Sequence, residues 1–266
     1  NGRRALIVPD EIPFPENNDI KRRDYCRLYA CEYNEIEIIS TKGCPYDCNF
    51  CVSRNVYDGK ASYRMRDPKE IVREIEYLRR EIPELGGIFF NDRTHTVNKK
   101  FNMSLCRAII DSGNHDFKYE CLGNYSGLDE ELLILMKEAG YYKVRVGLET
   151  FPDTDSGVAF SDKSAKRSLD KMMEVLHQCK KVGMKVYLSL SVGTLGSSEQ
   201  SDARTLEWIK ELYADGLFQE YQFSINTPMP GTPLFEEAKN DGSLISDDIG
   251  TYNGMGNCVL SYPGYS

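Results

Sequence analysis

The sequence predicts an α/β fold, specifically a partial (β/α)6 TIM barrel: an open parallel sheet covered by outer helices. Two observations predict it. Short apolar runs typical of buried strands alternate along the chain with longer segments whose apolar residues recur every three to four positions. The alternation gives six strand–helix units, which is fewer than the eight that close a full barrel, so we expect the barrel to be open.

The first helix shows how each unit is recognised. Asp67 is a good N-cap residue, and Pro68 suits the first helical position. Ile71, Ile75 and Leu78 then recur on one face, and this spacing predicts a helix that buries one side against a sheet.

The remaining units follow in the same order. Gly86 and Gly87 predict a turn before the second strand, and Gly140 and Gly183 each end a helix. The predicted strands are residues 36–40, 87–91, 117–122, 143–148, 185–192 and 220–225. The predicted helices are residues 67–82, a segment through Leu105 and Ile110, and residues 129–139, 164–182 and 199–213.

The chain divides into three regions. Residues 1–35 include a proline-rich segment, Leu6–Pro15, and are predicted to be an extended linker. Residues 36–245 contain the strand–helix units and form the core. Residues 246–266 are a C-terminal extension with several glycines and no lysine or arginine.

Charge and composition exclude several classes of function. The net charge of −8 argues against DNA or an RNA duplex as the main partner, because such binding relies on lysine and arginine at phosphates. No apolar run reaches the roughly 18–20 residues of a membrane span. No secretory signal is visible, so we expect a cytoplasmic chain whose nine cysteines are thiols or metal ligands rather than disulfides.

Three of these cysteines lie close together just after the first predicted strand. Cys44, Cys48 and Cys51 are separated by three and then two residues. A structural zinc site normally needs a fourth Cys or His, and the nearest histidine, His95, is far along the chain. A ferredoxin motif would keep two-residue gaps and add a fourth cysteine. The spacing therefore favours a four-iron cluster with one iron left open, with structural zinc as the alternative.

The cysteine motif, with aromatic Phe50 before its last cysteine, resembles the signature of the radical S-adenosylmethionine (SAM) enzymes. The resemblance implies a 4Fe-4S cluster on Cys44, Cys48 and Cys51. Its open iron would chelate SAM, and an electron from the cluster would cleave SAM to a 5′-deoxyadenosyl radical. It also implies a small-molecule or peptide substrate and an external one-electron reductant of the flavodoxin or ferredoxin type.

Further candidates lie where the predicted strands end, which is the edge at which ligands bind in parallel α/β folds. Gly147-Leu148-Glu149 is similar to a strand end of related radical enzymes, and the segment from Val192 to Glu199 resembles the adenine-side stretch of the family. The residues expected to bind the cofactor are Phe50, Asn91, Asp92, Glu149, Ser191, Gly193, Thr194 and Asn226. Asp92 is a better candidate than Asn91 because it carries a carboxylate, and no catalytic residue is assigned.

The proline-rich loop Asn226–Pro233 and the linker resemble those of cobalamin-associated radical SAM proteins. The resemblance implies a cobalamin held by a domain outside this chain, and methylation or rearrangement of an organic substrate. One alternative is a methylthiotransferase-like RNA-modifying enzyme, against which the tail without basic residues argues. Another is a non-catalytic iron–sulfur protein for electron transfer or sensing, which would gain nothing from an open iron.

Overall fold

The computed structural model describes residues 7–16, 21–25, 31–53, 63–149, 169–194 and 197–261. Its main sheet contains β1 (Glu35–Ile38), β4 (Gly87–Phe90), β5 (Lys118–Gly123), β6 (Tyr141–Glu149), β7 (Lys185–Val192) and β8 (Glu220–Ile225), and a separate pair is formed by β2 (Thr41–Lys42) and β3 (Arg64–Met65). The described helices are α1 (Pro68–Glu81), α2 (Lys99–Asp111), α3 (Glu130–Glu138), α4 (Leu169–Val182), α5 (Glu199–Ala214) and α6 (Pro233–Asp241).

The six strands of the main sheet are all parallel and lie in the order β1-β4-β5-β6-β7-β8. Each strand is followed by a helix before the next strand begins, so the predicted alternation is confirmed. Strands β1 and β8 are the two edges of this sheet in the described chain, as an open barrel requires. The start predicted for the fourth helix, residue 164, lies outside the described residues.

The hydrophobic core lies between the sheet and its helices. Ile71, Ile75 and Leu78 of α1 are fully buried, as their spacing predicts. Val144 and Val146 of β6 are buried in the same core. Because side chains alternate along a strand, the residues between them project to the other face of the sheet. That face carries the polar residues described below.

The strand pair β2–β3 and helix α6 were not predicted. Strands β2 and β3 form a short antiparallel ladder, with Thr41 opposite Met65 and Lys42 opposite Arg64. Helix α6 follows the proline-rich loop, with Thr232 as its N-cap. Since a two-residue strand has no periodicity to detect, the first of these elements could not be found from the sequence pattern.

The described residues 7–16 and 246–261 both pack on the core. Asp10 accepts a hydrogen bond from the amide of Asp67 at 2.8 Å, and Phe14 lies against Tyr77 with ring centroids 5.8 Å apart. In the extension, the carbonyl of Gly254 accepts a hydrogen bond from the amide of Ile225 at 2.7 Å. The described helices include none that is both long enough and apolar enough to cross a membrane.

Candidate metal and cofactor site

The three cysteines lie on a loop whose stem is the β2–β3 ladder. Gly43 begins the loop with a φ of 86°, a left-handed conformation that glycine adopts without strain. Cys44, Cys48 and Cys51 are all partly exposed, and the amide of Cys51 donates to the carbonyl of Cys48 at 3.1 Å. By contrast Cys106, Cys121 and Cys179 are buried in the core. The loop therefore presents its three thiols to a ligand.

The far end of the chain supports this loop. The amide of Leu234, at the start of α6, donates to the carbonyl of Asn49 at 3.2 Å. Thr232, which is fully buried, caps the same helix by accepting from the amide of Phe235 at 3.2 Å. The proline-rich loop thus places the start of α6 against the cysteine loop. This contact connects the segment that follows β1 with the segment that follows β8.

The three cysteines line a cavity of about 290 Å³ at the carboxyl ends of the strands. The lining residues are Cys44, Tyr46, Cys48, Phe50, Cys51, Ser53, Arg93, Thr94, Leu122, Gly123, Asn124, Arg145, Gly147, Glu149 and Ser189. Of the predicted cofactor-binding residues, the structure brings Phe50 and Glu149 together with the cysteines. Ser191 lies beside them, since its hydroxyl donates to Glu149 Oε2 at 3.3 Å.

The donor set fits an iron–sulfur cluster with one open iron. No histidine and no fourth cysteine is present among the described lining residues. Three thiolates without a fourth protein ligand would bind three irons of a four-iron cluster and leave the fourth open, whereas a structural zinc site needs four protein ligands.

Glu149 is held in an unusual conformation at the mouth of the cavity. Its φ of 68° is the only positive value among the described residues other than glycine. The pairing of β6 with β7 is irregular between Gly147 and Glu149. A Cβ at Gly147 would lie 2.7 Å from Glu149 Oε1, so the glycine leaves room for that carboxylate. Strain of this kind in a non-glycine residue is typical of functional sites.

The predicted residues that directly follow β7 and β8 lie at the same edge of the sheet. Gly193, with a φ of 65°, donates from its amide to Asp202 Oδ2 at 2.7 Å. The amide of Asn226 donates to the carbonyl of Val192 at 2.9 Å. Thr194 Oγ1 and Asn226 Nδ2 are buried and have no hydrogen-bond partner among the described residues. Buried polar atoms of this kind suit contact with a polar ligand.

Asn91 and Asp92 are not among the lining residues of this cavity. Asn91 is exposed, donates to Glu37 Oε2 at 2.8 Å, and faces a separate groove beside the linker. Asp92 is 1% exposed and lies under the stem of the cysteine loop, where its carboxylate accepts from the amides of Ser40 and Thr41 at 2.7 and 2.8 Å. A direct contact of either residue with SAM stays a prediction.

The sequence analysis missed Arg145 as a cavity residue. Its guanidinium lies over the rings of Phe89 and Tyr187, at 4.6 and 5.1 Å from their centroids, and it pairs with Glu120 below the cavity. Lys143 pairs with the other oxygen of Glu120 at 3.0 Å. The signal was available, because Arg145 stands two residues before Gly147 on the same strand and therefore faces the same way.

A second buried acid, Glu35, lies close to Glu120. Glu35 is fully buried, and its Oε1 accepts from the hydroxyl of Tyr142 at 2.5 Å. Its Oε2 has no hydrogen-bond partner among the described residues. Burial raises the pKa of the Glu35 carboxyl from 4.5 to about 7. The cause is desolvation, which disfavours the charged form of a buried carboxyl.

Comparisons with known proteins identify the family of this chain. The radical SAM superfamily matches residues 38–238. The bacteriochlorophyllide d C-8(2)-methyltransferase of Chlorobaculum tepidum is 24% identical over 260 residues, which cover 92% of this chain and 55% of that protein. The anaerobic magnesium-protoporphyrin IX monomethyl ester cyclase of Cereibacter sphaeroides is 27% identical over 218 residues, covering 80% of this chain and 33% of the cyclase. The chain thus spans about half, or less, of the length of these relatives.

Solved structures share the fold. The radical SAM methyltransferase TsrM from Kitasatospora setae, solved with cobalamin and a [4Fe-4S] cluster bound, superposes with a TM-score of 0.67 at 19% identity. The match covers 80% of this chain and 38% of TsrM. Since the superfamily match covers most of the chain and includes the three loop cysteines, the chain belongs to the radical SAM superfamily.

Proposed function

We propose that this chain is the core of a radical SAM enzyme that methylates or rearranges an organic substrate. One observation carries the proposal: three partly exposed cysteines of a single loop line a cavity at the carboxyl ends of the strands. Cys44, Cys48 and Cys51 would hold a 4Fe-4S cluster, which when bound supplies the electron that cleaves SAM to methionine and a 5′-deoxyadenosyl radical.

Other residues that line the cavity, and two that lie at the same edge of the sheet, would bind and orient SAM. Glu149 is suited to accept hydrogen bonds from an ammonium or hydroxyl group, because its carboxylate lines the cavity beside the cysteines. Thr194 and Asn226 offer buried polar atoms to the nucleoside. Arg145 adds a cation to the lining of the cavity, and Phe50 adds an aromatic ring.

The larger assembly is also part of the proposal. Relatives named as methyltransferases and cyclases are about twice as long as this chain or longer, and the TsrM structure contains cobalamin. We propose that residues 1–35 connect to a cobalamin-binding domain and that residues 246–266 extend the core. The substrate would be a small molecule or peptide, and the reductant a cytoplasmic flavodoxin or ferredoxin.

The test begins with anaerobic reconstitution of the chain with iron and sulfide. We expect a 4Fe-4S absorption and EPR spectrum and, with SAM and a reductant, formation of 5′-deoxyadenosine. S-Adenosylhomocysteine is measured in parallel, because methyl transfer consumes SAM through that product. Cys44→Ala, Cys48→Ala and Cys51→Ala should each abolish SAM cleavage.

The matched control is Cys258→Ala, because Cys258 is exposed and is not among the residues that line the cavity. This variant should cleave SAM as fast as the unchanged chain. Cleavage that survives loss of any of the three loop cysteines would overturn the assignment.

A further inference from the structure

After Ile38 the chain that leads to the cysteine loop has no strand of the main sheet to pair with. β1 pairs with β4 up to Ile38, whose carbonyl accepts from the amide of Asn91 at 3.0 Å. The next amides, those of Ser40 and Thr41, donate instead to Asp92 Oδ1 at 2.7 and 2.8 Å. The Asp92 side chain therefore takes the place of a neighbouring strand just before the cysteines begin.

The carboxylate of Asp92 has no acceptor capacity left. Two backbone amides occupy Oδ1, while Oδ2 accepts from the hydroxyl of Ser40 and lies 2.7 Å from His95 Nδ1. A carboxylate has about four lone-pair sites, and all four are used here. Asp92 is also 1% exposed and is not among the described residues that line the cavity. All four of its hydrogen bonds go to Ser40, Thr41 and His95.

His95 fixes the orientation of this carboxylate. Since a carboxylate only accepts, His95 Nδ1 must donate to it, which leaves Nε2 to bond the Tyr141 hydroxyl at 2.9 Å. The imidazole is fully buried and stacks on Phe90 with ring centroids 4.8 Å apart. The carbonyl of His95 accepts from Asn102 Nδ2 at 2.7 Å. The chain Tyr141–His95–Asp92 thus joins the stem to β6.

The stem is held from its other side as well. The carbonyl of Ser40 accepts from the amide of Arg66 at 3.0 Å, and Arg66 Nη1 donates to the carbonyl of Ile39 at 2.8 Å. Both backbone groups of Ser40 are therefore bonded, one to Arg66 and one to Asp92. Ser40 is the fixed point from which the loop extends.

We propose that Asp92 and His95 are positioning residues for the cysteine loop. Asp92 acts through Ser40 and Thr41, where the chain enters the β2–β3 stem of the loop, rather than on SAM. The inference rests on the proposed function, because the loop it positions is the proposed cluster-binding loop. The structure supplies a matched control: Tyr119 is as buried as Tyr141 and packs against it at 5.4 Å, but its hydroxyl bonds the carbonyl of Asn114, away from the loop.

The first measurement is amide hydrogen exchange of residues 40–53 in the chain without iron. Asp92→Asn replaces a charged acceptor by a neutral one, and a lost charge-assisted hydrogen bond changes a local opening equilibrium by roughly tenfold. We expect exchange about tenfold faster in Asp92→Asn, and faster in the same residues for His95→Gln and Tyr141→Phe. Tyr119→Phe should leave this segment unchanged.

The second measurement uses the reconstituted protein. We expect Asp92→Asn and His95→Gln to lose iron to a chelator about tenfold faster than the unchanged chain, with an altered EPR signal of the reduced cluster. The affinity for SAM, counted per loaded cluster, should stay within about twofold. Tyr141→Phe removes a single hydroxyl and keeps the test available where a more drastic variant fails to fold.

Two results would overturn the inference. One is Asp92→Asn with unchanged amide exchange and chelator resistance but much weaker SAM binding, which would place the carboxylate on SAM. The other is Tyr141→Phe and His95→Gln behaving like Tyr119→Phe. A failure of the proposed function is distinguishable, because then the unchanged chain itself would form no cluster that cleaves SAM, while the exchange experiment would still report on the stem.

Discussion

The conformation of Glu149 allows backbone strain and ligand binding to be separated by two substitutions at one position. Glu149→Ala removes the carboxylate but keeps a Cβ in the left-handed region, where φ is 68°. Glu149→Gly removes both the carboxylate and the Cβ. Both variants lose the hydrogen bond from Ser191, so this loss cancels when the two variants are compared with each other.

The expected difference follows from known backbone energies. A non-glycine residue in the left-handed region costs about 1–2 kcal/mol. Glycine offsets about 0.5–1 kcal/mol of this difference, because it has more conformational freedom to lose when the unfolded chain folds. Glu149→Gly should therefore be more stable than Glu149→Ala by about 1 kcal/mol, or about 2–4 °C in melting temperature for a chain of this size.

The assay is thermal and urea unfolding of both variants without cluster, followed by SAM affinity after reconstitution. We expect both variants to bind SAM more weakly and to a similar extent, because the same carboxylate is missing from each. Equal stability of the two variants would refute the claim of strain. Undiminished SAM affinity would refute the claim that the strained residue holds the ligand.

Three further predictions concern stability. Arg66→Met should cost about 3–5 kcal/mol in urea unfolding, because it leaves buried Glu74 without its partner at 2.6 Å. The exposed Arg73→Met should cost much less, and similar losses would contradict this. Because the pKa of Glu35 is raised in the folded protein, the stability that its protonated carboxyl contributes is fully present below pH 4.5 and is lost as the pH rises to about 7. Glu35→Gln should therefore show a smaller fall in the free energy of unfolding over that interval, and an unchanged fall would contradict this. Thr232→Val should weaken the cap of α6 by about 1 kcal/mol, seen as faster amide exchange in that helix and contradicted by unchanged exchange.

Much of the fold was predictable because it is local. The apolar spacing of α1 and the capping residues Asp67 and Pro68 place that helix from sequence alone, and Asp67 does accept from the amide of Lys69 at 2.8 Å. The three cysteines were predictable for the same reason, since their spacing is itself the signal. Each of these features depends on residues within a few positions of one another.

The rest depends on contacts between distant segments. The first strand was predicted to reach residue 40 but ends at Ile38, because Ser40 turns away to meet Asp92. The linker prediction for the proline-rich start did not include its contacts with the core, where Asp10 bonds Arg66 and Asp67. The spacing of apolar residues along the sequence does not indicate such side-chain bonds, because their partners come together only in the folded sheet.

The bond between the amide of Leu234 and the carbonyl of Asn49 also has a consequence for the order of events during synthesis. The cysteine loop is made early, but the helix end that supports it is translated only after every strand of the sheet. A nascent chain that stops short of α6 exposes three thiols on a loop lacking this support. Iron loading is thus expected to follow the synthesis of α6, and a truncation before Pro233 should yield a chain that loads metal poorly although all three cysteines are present.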